Sequence, residues 1–78
     1  MIKTLEEIEE NISRFKVCEI CNSINLLENK ECTTCQGVYF EEDLNGEKIK
    51  TKIIEEYSYA IMIEGKTIEE TDKITYIV

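Results

Sequence analysis

Cys18-Glu19-Ile20-Cys21 and Cys32-Thr33-Thr34-Cys35 are the residues of this chain whose type and spacing can do chemistry. Ten residues, Asn22 to Glu31, separate the two pairs. Within a C-x-x-C turn two sulfurs can face one ion while nearby backbone amides point at them and hold down the thiolate charge. Two such turns at short separation bring four thiolates to the corners of one tetrahedron, the arrangement zinc prefers. The chain has four cysteines and no histidine, so Cys18, Cys21, Cys32 and Cys35 form a complete ligand set with none left over.

Each turn has a suitable exit. Asn22 follows the first pair, and asparagine tolerates the left-handed backbone that such turns often need. Gln36-Gly37 follows the second, where Gly37 can supply the same freedom. The arrangement resembles the zinc ribbon family, built on paired zinc knuckles of the form C-P-x-C-G. Here the prolines are absent, and Asn22 and Gln36 stand where the family has glycine. The resemblance covers about residues 17–40. It implies one structural zinc ion and a local fold, and it does not imply a task.

Two other uses of the cysteines compete. Paired disulfides suit small secreted domains. The N-terminus, Met1-Ile2-Lys3-Thr4-Leu5-Glu6-Glu7, has neither an apolar h-region nor a small-residue cleavage site, so zinc is the stronger reading. Iron of the rubredoxin type suits a soft tetrahedral sulfur site equally well on paper and is the less expected metal. A catalytic zinc is disfavoured, because four protein ligands leave no open position for water or substrate.

The elements that must position this site come from a short chain. Seventy-eight residues make one small unit whose core is marginal without a staple, and a metal is an ordinary staple. The expected architecture is a small α+β fold in three stretches. Residues 1–16 carry an amphipathic N-terminal helix, 17–40 the four-cysteine ribbon, and 41–78 an antiparallel β extension packed on the ribbon. The helix is read over residues 4–16 from the stripe Leu5, Ile8, Ile12 and Phe15. Thr4 and Glu7 fit a capping box at its start. That stripe can cover the ribbon, pair with a second copy or dock on a partner, leaving monomer and homodimer both open.

Ile24, Leu26 and Leu27 fall in the connection, where they would cover the sulfurs, and Val38-Tyr39-Phe40 leaves the second knuckle as a strand. Asn45-Gly46 is a hairpin signal between Val38–Leu44 and Glu47–Ile54. Tyr57, Tyr59, Ile61 and Ile63 alternate with smaller or polar residues at strand period. Gly65-Lys66 closes a second expected hairpin with 67–71, and Lys73–Val78 ends the chain as a strand with Ile74, Tyr76 and Val78 on one face. A helix from Glu47 to Ile63 is the alternative, since Ile49, Ile53, Tyr57 and Ile61 also repeat at helical spacing. The β-branched and aromatic content favours strands.

Charge narrows the partners. Seventeen acidic against nine basic side chains give a net charge of −8. Four thiolates around one divalent ion take the loaded chain to about −10. Nucleic-acid binding is driven by Lys and Arg, and only Lys48, Lys50 and Lys52 cluster, on one face if they lie on a strand. A protein with a basic surface is the better electrostatic match, and nucleic acid is not the expected partner. Tyr39, Phe40, Tyr57, Tyr59 and Tyr76 lack the basic interleaving that base stacking uses and read as sheet packing.

Glu41-Glu42-Asp43, Glu55-Glu56 and Glu69-Glu70 read as solvated rather than catalytic. There is no Ser-His or Cys-His nucleophile and no Gly-rich phosphate loop, so the chain is not expected to be an enzyme. No apolar run approaches a membrane span, and reduced thiols point to the cytoplasm. The expected function is a non-enzymatic zinc-binding adaptor or regulator. By size, acidity and paired cysteines it resembles small inhibitors of sigma factors or RNA polymerase. A nucleic-acid-binding ribbon and an iron electron carrier are the alternatives.

Overall fold

The two ends of the chain meet in one ladder. Strand β1 (Ile2–Thr4) pairs antiparallel with β4 (Thr75–Ile77), with Ile2 opposite Ile77 and Thr4 opposite Thr75. In this computed structural model residues 1–78 are described, the side chain of Leu44 excepted. The expected alternation at the C-terminus holds: Ile74, Tyr76 and Val78 turn inward while Thr75 and Ile77 are exposed.

The fold is α+β, with an N-terminal helix shorter than expected and, in place of the favoured strands, the alternative helix from Glu47 to Ile63. Helix α1 spans only Leu5–Glu10. Its capping box is as expected, with Thr4 Oγ1 accepting from the Glu7 amide and Glu7 Oε1 accepting from the Thr4 amide. Asn11 ends it by leaving helical backbone, and its side-chain amide donates to the Glu7 carbonyl at 2.9 Å. After a 3-10 turn at Ile12–Arg14, Phe15 begins a strand instead of continuing the helix. The expected stripe is still core: Leu5 and Ile8 are fully buried, Phe15 nearly so, and Ile12 packs against them.

Strand β2 (Phe15–Val17) pairs antiparallel with β3 (Ile24–Leu26), Phe15 opposite Leu26 and Val17 opposite Ile24. Phe15, Val17 and Ile24 enter the core. A third segment joins at the other edge, where Cys18 bridges to Phe40 and the Glu41 amide donates to the Val17 carbonyl at 3.0 Å. The Val38–Phe40 strand expected from the sequence is thus a single bridge.

The expected β extension is instead mostly helical. Helix α2 spans Glu47–Ser58 and runs into one wide π-type turn over Tyr59–Ile63. Asn45 and Gly46 both take positive φ, 64° and 69°, as a tight turn needs, yet they launch a helix and not a second strand. The reason lies next to them. The Asp43 carboxylate accepts from the Lys48 amide at 2.8 Å and the Ile49 amide at 3.1 Å, satisfying two of the orphan donors of the first turn. Negative charge there also suits the helix dipole. Ile49 and Ile53 then fall on the buried face against Leu5, Ile8 and Val17, and Tyr57 follows half-buried.

The second expected hairpin is also helix. Helix α3 (Ile68–Asp72) opens on another capping box, between Thr67 and Glu70. Hydrogen bonds to the Thr4 and Thr67 backbone and hydroxyl groups hold the Glu7 and Glu70 carboxyls below their ordinary values. A carboxyl lowered on folding adds stability above its unfolded value, and loses it as pH falls through its folded value. Thr67→Ala removes the hydroxyl that accepts from the Glu70 amide and should cost about 1 kcal/mol. The deficit should persist as pH falls, because the Thr67 hydroxyl that accepts from the Glu70 amide does not titrate, while the Glu70 carboxylate contact with the Thr67 amide is lost from both proteins alike. Urea unfolding of both proteins across pH 3–7 measures this (about that range brackets the carboxylate values).

Tyr57 ties the helices together, its phenol lying between Glu9 on α1 (3.0 Å) and Asp72 on α3. Burial and these two carboxylates push its ionisation up, so it stays a neutral donor. No helix among the described residues is long and apolar enough to cross a membrane.

Candidate metal centre

The two knuckles are built by the same backbone device. In the first, the Cys18 amide donates to the Ser23 carbonyl (2.9 Å) and the Asn22 amide to the Cys18 carbonyl (3.0 Å). In the second, the Cys32 amide donates to the Gly37 carbonyl (2.8 Å) and the Gln36 amide to the Cys32 carbonyl (2.9 Å). Both loops thus close over five residues with one left-handed residue four after the leading cysteine, Asn22 at φ 63° and Gln36 at φ 60°. The sequence placed that freedom at Gly37 in the second knuckle, and the structure moves it to Gln36. Gly37 serves another need. A β-carbon there would lie 2.5 Å from Ile20 Cδ1 and 3.2 Å from Cys35 Sγ, so a larger residue would have to displace the exposed Ile20 side chain of the first knuckle.

A left-handed non-glycine residue carries a steric penalty of about 1–2 kcal/mol, partly offset by the freedom glycine gains when unfolded. Gln36→Gly should accordingly stabilise the metal-loaded chain by about 0.5–1 kcal/mol. Denaturant unfolding at fixed free metal concentration reads the change.

The structure brings all four sequence-predicted sulfurs together, each within 4.8 Å of the others. They approach crosswise: Cys18 Sγ lies 3.6 Å from Cys35 Sγ, and Cys21 Sγ 3.5 Å from Cys32 Sγ. These spacings far exceed the roughly 2.05 Å of a disulfide. They are close to the edge, about 3.8 Å, of a tetrahedron with metal–sulfur bonds of about 2.3 Å. Cys18 and Cys32 are buried, and Cys21 and Cys35 are half-exposed. Four sulfurs and no oxygen ligand fit a zinc-ribbon-like metal site.

The surroundings favour thiolate over thiol at the centre of the cluster. Burial works against ionisation of Cys32, but amides of Cys35, Asn25 and Thr34 outweigh it and pull the thiol down to about 6. The Ser23 hydroxyl, 3.2 Å from Cys21 Sγ, helps lower Cys21. Cys35 goes the other way. The Gly37 amide favours its thiolate, but burial and the three neighbouring sulfurs prevail and push it up to about 12. Like charges crowd one another here, and a divalent cation is the group that relieves such crowding.

Asn25 is the functional residue that the sequence reading missed. It is fully buried at the middle of β3. Its amide nitrogen donates to Cys32 Sγ (3.4 Å) and to the Ser23 carbonyl (3.3 Å), and its oxygen accepts from the Thr33 amide (2.9 Å). One side chain therefore joins both knuckles beneath the sulfurs. The signal for it was a lone polar residue between Ile24 and Leu26, the inward apolar partners of a short strand. Thr33 anchors the second knuckle further by donating from Oγ1 to the Ile77 carbonyl on β4 (3.1 Å).

Most of the other candidate charged groups make contacts of their own, and Lys52, Glu56 and Tyr76 do so beside Cys21. Lys48, Lys50 and Lys52 sit on a helix and not on a shared strand face. Lys48 pairs with Glu41 and Lys52 with Glu56, each at 3.1 Å. Glu56 also accepts from Tyr76 (2.9 Å), Asp43 caps α2, and Glu70 caps α3. Lys16 Nζ lies over the Phe40 ring, 3.7 Å from its centre. Tyr39 and Tyr59 remain exposed. No protein-family model, no curated protein and no solved structure matches this chain.

Proposed function

We propose that this chain is a non-enzymatic, zinc-loaded binding module whose partner is a protein with a basic surface. The observation that carries the reading is the closed set of four sulfurs, two of them buried, with no oxygen ligand and no vacancy for a substrate. Such a site holds loops rigidly and does no chemistry of its own. Around it, Ile20, Val38 and Tyr39 expose apolar surface on a chain of net charge −8, which suits an apolar contact with a basic rim.

Within that class we propose a transcription-linked regulator, acting on a sigma factor or on RNA polymerase. This finer reading rests on the resemblance in size, acidity and cysteine pairing to small inhibitors of that kind. Leu5 and Ile8 are consumed by the chain's own core, which favours a monomer over a dimer made through α1. Thiolate ligands are kept in a reducing compartment, which supports the cytoplasm as its place of work.

The test is a pull-down from nuclease-treated source-cell lysate, with metal-loaded protein as bait and Cys21→Ser as control, beside direct binding to purified core polymerase and sigma factor. A stoichiometric protein partner lost with Cys21→Ser is expected. Capture that vanishes with nuclease alone would transfer the function to nucleic acid. The pairing of Lys48 and Lys52 with glutamates argues against that outcome. Iron in place of zinc would make the oxidised protein red, and its visible spectrum decides between the metals.

A further inference from the structure

Outside the knuckles, large apolar side chains are exposed at the terminal ladder (Met1, Ile2 and Ile77), at Leu27, and in a longer run further along the chain. From the last turns of α2 to the start of α3, Ile54 is 65 %, Tyr59 58 %, Met62 79 %, Ile63 70 % and Ile68 65 % exposed. Of the five residues in the wide turn only Ala60 is buried. This is not a frayed end. The Glu64 amide donates to the Tyr59 carbonyl (3.2 Å), the Lys66 amide donates to the Ala60 carbonyl (2.9 Å), and Gly65 takes the left-handed backbone that closes a helix. Helix α3 packs against the same turn. A π-type turn is uncommon and recurs at functional sites. Here it fixes large apolar side chains in water on a well-bonded backbone, at a standing cost in hydration that partner contact would relieve.

The charge around the surface selects the occupant. Glu55, Glu56, Glu64, Glu69 and Glu70 lie among or beside these residues in the chain, against Lys52, which pairs with Glu56 at 3.1 Å, and Lys66, which is 3.8 Å from Glu64. A second copy would bring acidic rim to acidic rim, and an anionic lipid surface would be repelled in the same way. An apolar face flanked by Lys or Arg is complementary on both counts. An amphipathic helix offers those two features side by side.

We infer that the Ile54–Ile68 surface docks a basic amphipathic helix of the partner protein. The inference rests on the protein-binding reading above and adds to it the docking surface and the partner's chemistry.

The experiment uses the full metal-loaded chain and a fluorescent Leu/Lys peptide with leucines at helical spacing, read by anisotropy at physiological salt. Controls are a scrambled peptide of the same composition and a Leu/Glu analogue. The Leu/Lys peptide should bind and both controls should fail. The double variant Met62→Ser/Ile63→Ser should weaken binding by about tenfold or more. Both side chains are exposed and the net charge is unchanged, so the amide spectrum should stay that of the folded protein. Equal binding by wild type and double variant would show attraction by charge alone and overturn the inference. So would absence of binding, or a wild-type dimer that this variant dissociates. The two readings fail separately. A lysate partner retained by Met62→Ser/Ile63→Ser would remove this surface and leave the binding module standing. A Met62- and Ile63-dependent peptide complex without any lysate protein partner would leave the surface and remove the assigned role.

Discussion

Stripped of its metal by a chelator at neutral pH, or carrying Cys32→Ser, the chain should lose its fold. A structural zinc site of this type is worth about 10–16 kcal/mol of apparent binding energy, and binding is coupled to folding. A chain this short has a total stability of order 4–12 kcal/mol. The residues that would have to hold the fold alone are few: Leu5, Ile8, Phe15, Val17, Ile24, Ile49, Ile53 and Val78 make the buried cluster. Three of them, Phe15, Val17 and Ile24, sit on the hairpin that carries the first knuckle. Without the ion that hairpin has no fixed partner across the sulfurs. Far-UV circular dichroism and amide dispersion should both collapse and return when zinc is restored. Cys21→Ser and Cys35→Ser should act in the same direction. Because the ligands are thiolates, acid should release the metal and the fold together. A dispersed amide spectrum in the chelated protein would mean that the small core suffices and the metal is an ornament.

The second large effect should come from Asn25→Leu. The leucine side chain has the same branching but is larger, so it crowds a fully buried site and removes every polar bond that Asn25 makes. The Thr33 amide is then left without its partner, an orphan donor costing about 1–3 kcal/mol. Cys32 Sγ loses the amide that helps hold its charge. Outer-shell losses of this kind lower metal affinity by about 10–100-fold. Competition with a chromophoric chelator reads that loss directly. Asn25→Asp is the informative companion, because it preserves the acceptor for Thr33 but sets a carboxylate against a thiolate. It should be the worse of the two for the metal. Equal affinity in all three proteins would show that the knuckle backbones hold the cluster unaided.

The site was legible in the sequence because its geometry is local. A C-x-x-C turn places its two sulfurs with its own backbone, and only the meeting of the two turns is long-range. Thr4 with Glu7 was legible for the same reason. The helix at Glu47–Ser58 was not. Ile49, Ile53 and Tyr57 recur every four residues, and four is both near one helical turn and an even number, so the pattern satisfies helix and strand alike. The choice was made by the Asp43 carboxylate beneath the first turn and by the apolar face of α1 (neither is visible from periodicity). Asn45-Gly46 declared its positive φ values correctly and could not declare what followed them. Phe15 posed the same ambiguity at the other end. It continues the stripe of Ile8 and Ile12 and also alternates with Val17, and its pairing with Leu26 decided for the strand. Asn25 was hidden because its partners Ser23, Asn29, Cys32 and Thr33 meet only when both knuckles have formed.

The measurement that tests the central claim most directly is native mass spectrometry of the protein purified without added metal, paired with a thiol count before and after denaturation. One zinc ion per chain is expected, with the four thiols slow to react while folded and all four reactive once unfolded in chelator. A chain with no metal and two disulfides, or one with iron in the site, would contradict the account.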